Sequence, residues 1–335
     1  MKKLIIGALL AFSTTISYAQ LDFGTILEGN VADANRYAEG YLEPLAVGFG
    51  QGINGGWYST AKTHKFLGLD IKVIASGAIV PSEKESFTFN NSDYGSIKLD
   101  DSSLSQAQLP TILGSKELGD RPLLEFSSNG GSISTSSLPG FNQIIKDNIG
   151  LNAVPSSMVQ VGLGLFKNTD LKVRFIPKQT IDDNEFSVFG IGIMHDIKQW
   201  IPGVKLLPFH LSAFGGYTNI KSAVLLDASN NPDQVVELDT NSYVFQLVAS
   251  KKLAFLTVFG GVGTTSYKSD LSVLGVFNTS NTDTPIVDPI TLNYTGSNLR
   301  ANLGIDIKLL FLNISAEYAV QEYDTLTATV GFSIR

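Results

Sequence analysis

The sequence predicts an all-β fold, a transmembrane antiparallel β-barrel with a short N-terminal helical plug or hatch. Apolar and polar residues alternate with a period of two over runs of ten to twelve positions, the pattern of long half-buried strands. The polar rows mix glycine with charges of both signs, which suits a crowded lumen. Only 16% of the 335 residues are charged, against about 25% in typical soluble domains.

The chain opens with Met1-Lys2-Lys3, an apolar stretch from Leu4 to Phe12, and Ser17-Tyr18-Ala19 ahead of Gln20. A positive start, a short apolar core and a small-x-small site make a secretory signal peptide over residues 1–19, cut after Ala19. The cut removes two lysines and takes the net charge from −7 to −9. An acidic chain is not built to grip phosphates, so no nucleic-acid partner is expected. With Cys at 0, disulfide frameworks, Cys-ligated zinc and iron–sulfur clusters are excluded. After the first 20 positions no run reaches the roughly 18 apolar residues of a spanning helix, so the hydrophobicity is spread in short pieces.

Residues 20–63 read as a helix and glycine-rich plug segment. Val31, Ala34, Ala38, Tyr41, Leu42 and Leu45 follow helical spacing over 31–47, with Pro44 limiting the last turn. A glycine-rich stretch from Gly48 follows and ends in Trp57 and Tyr58. Gly50-Gln51-Gly52-Ile53-Asn54-Gly55 formally matches G-x-G-x-x-G, but a helix precedes it where the dinucleotide motif needs a strand. Two placements are open for the segment: a plug inside the lumen, or a tether across the barrel mouth.

The barrel is expected over 64–335. Its first strand alternates Leu67, Leu69, Ile71, Val73 and Ala75 with Gly68, Asp70, Lys72, Ile74 and Ser76. Residues 81–157 hold one strand-like piece, Glu85 to Asn90, among serine-rich punctuation, and read as a long loop or insertion. The alternation resumes at Val159 to Leu165, Leu171 to Phe175, Phe189 to Ile193, Leu207 to Tyr217, Tyr243 to Ala249 and Leu253 to Thr265. It is clearest in the three final runs, Leu299 to Leu309, Leu310 to Val320 and Leu326 to Arg335.

Strands of soluble sandwiches run about five or six residues, whereas a tilted strand needs about 9–11 to cross a bilayer. The runs here are long, and the polar rows carry Asp70, Lys72, Lys172, Arg174, Arg300, Asp306, Lys308 and Glu317. Apolar rows facing lipid and small or charged rows facing the lumen follow. At about 20–25 residues per strand and loop, the barrel region makes about 12 strands, with 10–14 allowed under the even-number rule. A secreted soluble β-sandwich adhesin is the alternative architecture.

The segment through Trp57 and Tyr58, Val159 to Phe166 with Leu171 to Pro177, and Phe189 to Ile197 together resemble Gram-negative outer-membrane β-barrels. They have a general likeness to the long-chain fatty-acid transporter family. That resemblance implies a barrel with an N-terminal hatch that passes hydrophobic molecules. The chain is shorter than that family and lacks its Asn-Pro-Ala type of hatch opening.

Candidate chemistry is sparse. Of His64, His195 and His210, His195 falls in the apolar row of its strand and His210 in the other row of its own, and no G-x-S-x-G elbow is present, so no enzyme, metal or cofactor is expected. Asp227, Ser229, Asn231 and Asp233 begin a calcium-like spacing that fails at Pro232 and Leu238. Trp200, Tyr217, Tyr243 and Tyr318 suit interfacial anchors. Lumen or hatch candidates are Trp57 and Tyr58 at the hatch exit, with Arg174, Arg300 and Asp306 as wall charges. The expected function is an outer-membrane transporter or channel for small hydrophobic molecules, with outer-membrane lipid and such a ligand as partners. The alternative is a closed structural or interaction barrel presenting residues 81–157 and 227–241.

Overall fold

The computed structural model describes residues 23–115, 121–128, 131–181, 184–203, 206–227, 231–279 and 285–334. The expected signal peptide and the middle of the calcium-like run lie outside them. Among the described residues two helices come first, α1 (Phe23–Leu27) and α2 (Val31–Gly52), then strand β1 (Leu69–Ile79). An insertion carries β2 (Ser86–Asn90), β3 (Ile97–Leu99), β4 (Gln106–Pro110), β5 (Leu123–Ser128), β6 (Gly131–Ser136) and α3 (Asn142–Ile149). The wall resumes with β7 (Ala153–Leu165), β8 (Thr169–Ile181), β9 (Asn184–Asp196), β10 (His210–Asp227), β11 (Asn231–Leu253) and β12 (Leu256–Leu274). A small hairpin, β13 (Val276–Phe277) and β14 (Ile286–Val287), precedes β15 (Ile290–Leu309), β16 (Leu312–Val320) and β17 (Thr325–Ile334).

One closed sheet runs β1-β17-β16-β15-β12-β11-β10-β9-β8-β7 and back to β1. Every pair is antiparallel, and Leu69 faces Ile334 on one side and Leu163 on the other. A two-sheet sandwich is therefore ruled out. The wall has ten strands rather than about 12. The whole insertion forms separate small sheets, and β10, β11, β12 and β15 run 18, 23, 19 and 20 residues, so fewer strands use the same chain.

The two ends differ. At the turn end lie the tight connections 166–168, 254–255 and 310–311 and the longer 197–209; at the cap end lie the insertion after β1, the 275–289 excursion and the short 321–324 connection. Outward rows are apolar: Ile71, Val161, Ile191, Phe245, Leu303 and Val330 are all exposed on the wall. Inward rows are polar: Gln160, Arg174, Ser242, Arg300, Asn302 and Thr327 are all buried. Among the described residues, no outward side chain is ionised between Lys251 at the turn end and the level of Lys178, Glu185, Lys221 and Lys268. Phe66, Phe166, Trp200, Phe255 and Phe311 stand exposed on the turn-end connections, and the Phe66 and Phe166 rings stack at 4.2 Å. Higher up, Phe189, Tyr217, Tyr243 and Tyr318 face out, the two middle rings 5.0 Å apart. An apolar belt between two aromatic sets is the exterior that a bilayer selects.

Above the belt the alternation changes phase while the backbone register continues. Low on β15 the outward residues are Leu299, Leu303 and Ile305; at its cap end the inward ones are apolar, Ile290, Leu292 and Tyr294. Strand β12 does the same, with Tyr267, Leu271 and Val273 turned in and Lys268 and Asp270 turned out. These inward residues join Tyr37, Tyr41 and Leu42 of α2 and Phe89, Leu109 and Phe126 of the insertion in one hydrophobic core. The lower barrel thus has a polar interior and the cap a water-excluding one.

Helix α2 does not end near Pro44 but continues to Gly52. The proline lacks the N–H that would bond Gly40, a cost of about 3 kcal/mol, offset because the turns on both sides are buried. The helix begins at Asn30, whose side chain accepts the Asp33 N–H at 2.8 Å. Burial pushes the Asp33 carboxyl up, but the Ser96 N–H at 2.5 Å and hydroxyl at 2.7 Å, with the Gly95 N–H and the Asn30 amide, outweigh it and hold the group below its usual range.

Two outcomes follow. Leu303→Arg should destabilise the barrel in lipid vesicles by about 2–4 kcal/mol, measured by denaturant unfolding, while Thr291→Arg above the belt should cost under about 1 kcal/mol. The Asp33 contribution should be complete above its unfolded pKa of about 4 and disappear as pH falls through the lower folded value. Melting curves of Asp33→Asn should therefore lie below wild type at neutral pH and converge with it in acid.

Candidate functional site

Residues 50–64 run along the inside of the barrel and meet all ten wall strands. Gly56 lies at φ +74°, where an added Cβ would come 2.5 Å from Ile74 of β1, so this turn requires glycine. Gly55 packs on Thr327 of β17, and the Gly56 N–H meets the Glu317 carboxylate of β16. The Tyr58 hydroxyl lies 2.9 Å from Gln246 Oε1 of β11 and from Asn302 Oδ1 of β15, against Gly261 of β12. The Trp57 ring sits 5.3 Å from that of Phe214 on β10 and touches Gly192 on β9. The Trp57 carbonyl accepts the Gln160 amide of β7 at 3.1 Å.

Arg174 of β8 is the hub. It is fully buried, and its guanidinium donates to the carbonyls of Ile53 at 2.6 Å and Gly55 at 2.7 Å and to Gln160 Oε1 at 3.1 Å. Its centre stands 3.6 Å above the Trp57 ring. Planar donors in a fixed fork suit two carbonyls and an aromatic face together, which a lysine cannot match. Gly192 and Gly216 are cross-strand partners, and a Cβ on either would come within 3.0 Å of Trp57. Glycines in the wall therefore cut the slot for the Trp57–Arg174 pair.

Two further charge groups line the segment. Arg300 Nη2 donates to Glu317 at 2.6 Å and its Nη1 to Gln321 at 2.7 Å. Toward the turn end, His64 Nδ1 pairs with Asp170 at 2.9 Å, while the His64 N–H donates to the same carboxylate at 2.8 Å. Lys172 lies 3.6 Å from Asp170, and Lys72 lies 3.3 Å from Asp70. Opposite charges this buried hold only because they are paired and hydrogen-bonded. The cluster fastens the lower end of the segment to the wall. Among the described residues, no group of His, Asp or Glu is arranged to hold a metal ion.

All five expected lumen residues lie buried inside: Trp57, Tyr58, Arg174, Arg300 and Asp306. Trp57 meets Arg174, Tyr58 meets Asn302, and Arg300 meets Glu317. Asp306 lies lower on β15, opposite Ser315. The G-x-G-x-x-G match closes the end of α2 inside the lumen. His195 is on the outside, bonded by the Trp200 indole N–H at 2.9 Å, while His64 is inside. Reasoning from sequence did not assign His64, Asp170, Gln160, Gln246 or Asn302 to the site. Their place in polar rows was visible, but contacts across the lumen depend on where the segment threads.

The family model described as "Family of unknown function (DUF6588)" matches residues 1–334, and the chain belongs to that family. No curated protein matches it. Among solved structures, it is similar to Ail, the attachment invasion locus protein of Yersinia pestis, at 7% identity and a TM-score of 0.28, over 81% of this chain and 100% of that one. The translocator domain of the autotransporter NalP from Neisseria meningitidis gives 11% identity and a TM-score of 0.28, over 81% and 90%. The beta domain of the Bordetella autotransporter Brka gives 9% and 0.22, over 81% and 100%. Scores this low carry no argument, and the barrel stands on its own strand pairing.

Arg174→Lys should leave at least one buried carbonyl without a donor and cost about 1–3 kcal/mol in unfolding free energy. Gly216→Val should push Trp57 from its slot, read as a red-shifted and more quenchable emission in a Trp200→Phe background. An unchanged spectrum would contradict the slot.

Proposed function

We propose that this DUF6588 protein is an outer-membrane β-barrel whose lumen is held shut by its own N-terminal segment. It serves as an anchored platform for the cap built from α2, the insertion and the protruding ends of β11, β12 and β15. The observation that carries this reading is the contact of residues 50–64 with every strand of the wall, through paired charges and hydrogen-bonded carbonyls. The apolar belt between aromatic sets supports the membrane location.

A second reading, a conduit for small hydrophobic molecules in the manner of the fatty-acid transporters, is favoured by one feature. An apolar depression of ≈ 640 Å³ lies on the outer wall among Leu247, Val262, Leu303 and Tyr318. Its floor includes Gly261 and Asn302, which hold Tyr58 from the inside. In that reading Trp57 and Tyr58 leave the wall to open a path.

Purified protein in planar bilayers separates the two. The platform reading expects no steady conductance from wild type. Steady wild-type currents, or uptake of a hydrophobic dye into vesicles that Tyr58→Ala changes, would contradict the platform and favour the conduit. Heat-modifiable gel mobility in the outer-membrane fraction checks the location.

A further inference from the structure

The path of the N-terminal segment has a direction. At the turn end, Leu67 donates its N–H to Gly164 at 2.9 Å, just before β1 begins. Going back along the chain, the partners climb the wall. On β11 they are Ser250 for Ala61, Gln246 for Tyr58 and Ser242 for Asn54. On β12, Ser269 donates to the Ala46 carbonyl at 3.1 Å; on β15, the Tyr294 hydroxyl donates to the Glu39 carbonyl at 2.8 Å. At the top, Asn35 donates to the Pro289 carbonyl at 2.7 Å, in the excursion before β15. The start of α2 therefore lies at the cap end, opposite the end from which β1 departs.

Outer-membrane barrels keep their short turns on the periplasmic side and their long loops outside. Here the tight connections 166–168, 254–255 and 310–311 and the 197–209 connection share one end with the exposed Phe66, Phe166 and Phe255, and the far longer insertion over 80–152 occupies the other. Helix α2 carries Asp33, Arg36, Glu39 and Glu43, and ionised groups are strongly disfavoured at the centre of a bilayer. Such a helix is suited to a lumen and not to lipid.

We propose that the barrel is the conduit for its own N-terminal segment, so that the start of α2 is displayed on the cell surface and the lumen closes behind it as residues 50–64 settle. This rests on the outer-membrane reading above. The driving force is burial of Tyr37, Tyr41 and Leu42 in the cap core on the outer side. The His64–Asp170 pair then fixes the trailing end.

With Cys at 0, single cysteines report sidedness directly. Val31→Cys, Ser102→Cys in the insertion and Leu310→Cys at the turn end would each be expressed in Gram-negative cells and treated with a maleimide-polyethylene glycol too large for porins. The expected result is a gel shift of the first two in intact cells, and of Leu310→Cys only after the outer membrane is permeabilised. A shift of Ser102→Cys without Val31→Cys overturns the proposal but leaves an outer-membrane barrel. So does the reverse pattern, in which only Leu310→Cys shifts. Recovery of all three variants in the soluble fraction overturns the outer-membrane reading and the proposal with it.

Discussion

A closed wall that turns its apolar rows outward must satisfy the polar groups of its inward rows, and here the chain's own N-terminal segment supplies many of the partners. Arg174 shows the constraint at its sharpest. A buried guanidinium without a partner would be intolerable, and its donors are met by two carbonyls of the segment, a wall glutamine and the face of Trp57. Wall and segment therefore need each other. Without the segment Arg174 loses its two carbonyl acceptors and the face of Trp57, and without Arg174 the Ile53 and Gly55 carbonyls lose their donor in a narrow interior.

The same economy explains the two kinds of interior. Within the apolar belt a polar lumen is tolerable because it is filled and hydrogen-bonded. Above the belt the outer wall meets water, so Lys268, Asp270 and Lys221 turn out and Tyr267, Leu271 and Val273 turn in. That inversion lets α2 bury an apolar face at the mouth of a barrel whose lower half is polar. The cap is then continuous with the wall, because strands such as β12 and β15 serve both halves.

Much of this was legible in the sequence, for a physical reason. Period-two alternation records which side of a wall meets lipid, so Leu299 to Leu309 and Leu326 to Arg335 show both rows, and Arg174, Arg300 and Asp306 read as inward from the sequence alone. The strand number is less legible, because dividing chain length by an average strand and loop overcounts when β10, β11, β12 and β15 run 18, 23, 19 and 20 residues and the insertion stays outside the wall; ten lies at the low end of the range allowed. The end of α2 was misread at Pro44, where packing on both sides outweighs a local penalty. Pairings such as His64 with Asp170 were hidden, because they join positions 106 residues apart through a path inside the barrel that local pattern does not encode.

Residues 50–64 form a packed part of the barrel interior when the wall stands in lipid. Amide hydrogen exchange of the unmodified protein in lipid nanodiscs measures this most directly. The account predicts exchange over 50–64 as slow as over the belt portions of β12 and β15. Exchange there as fast as in the surface connection at 197–203 would show a lumen open to water, and would contradict it.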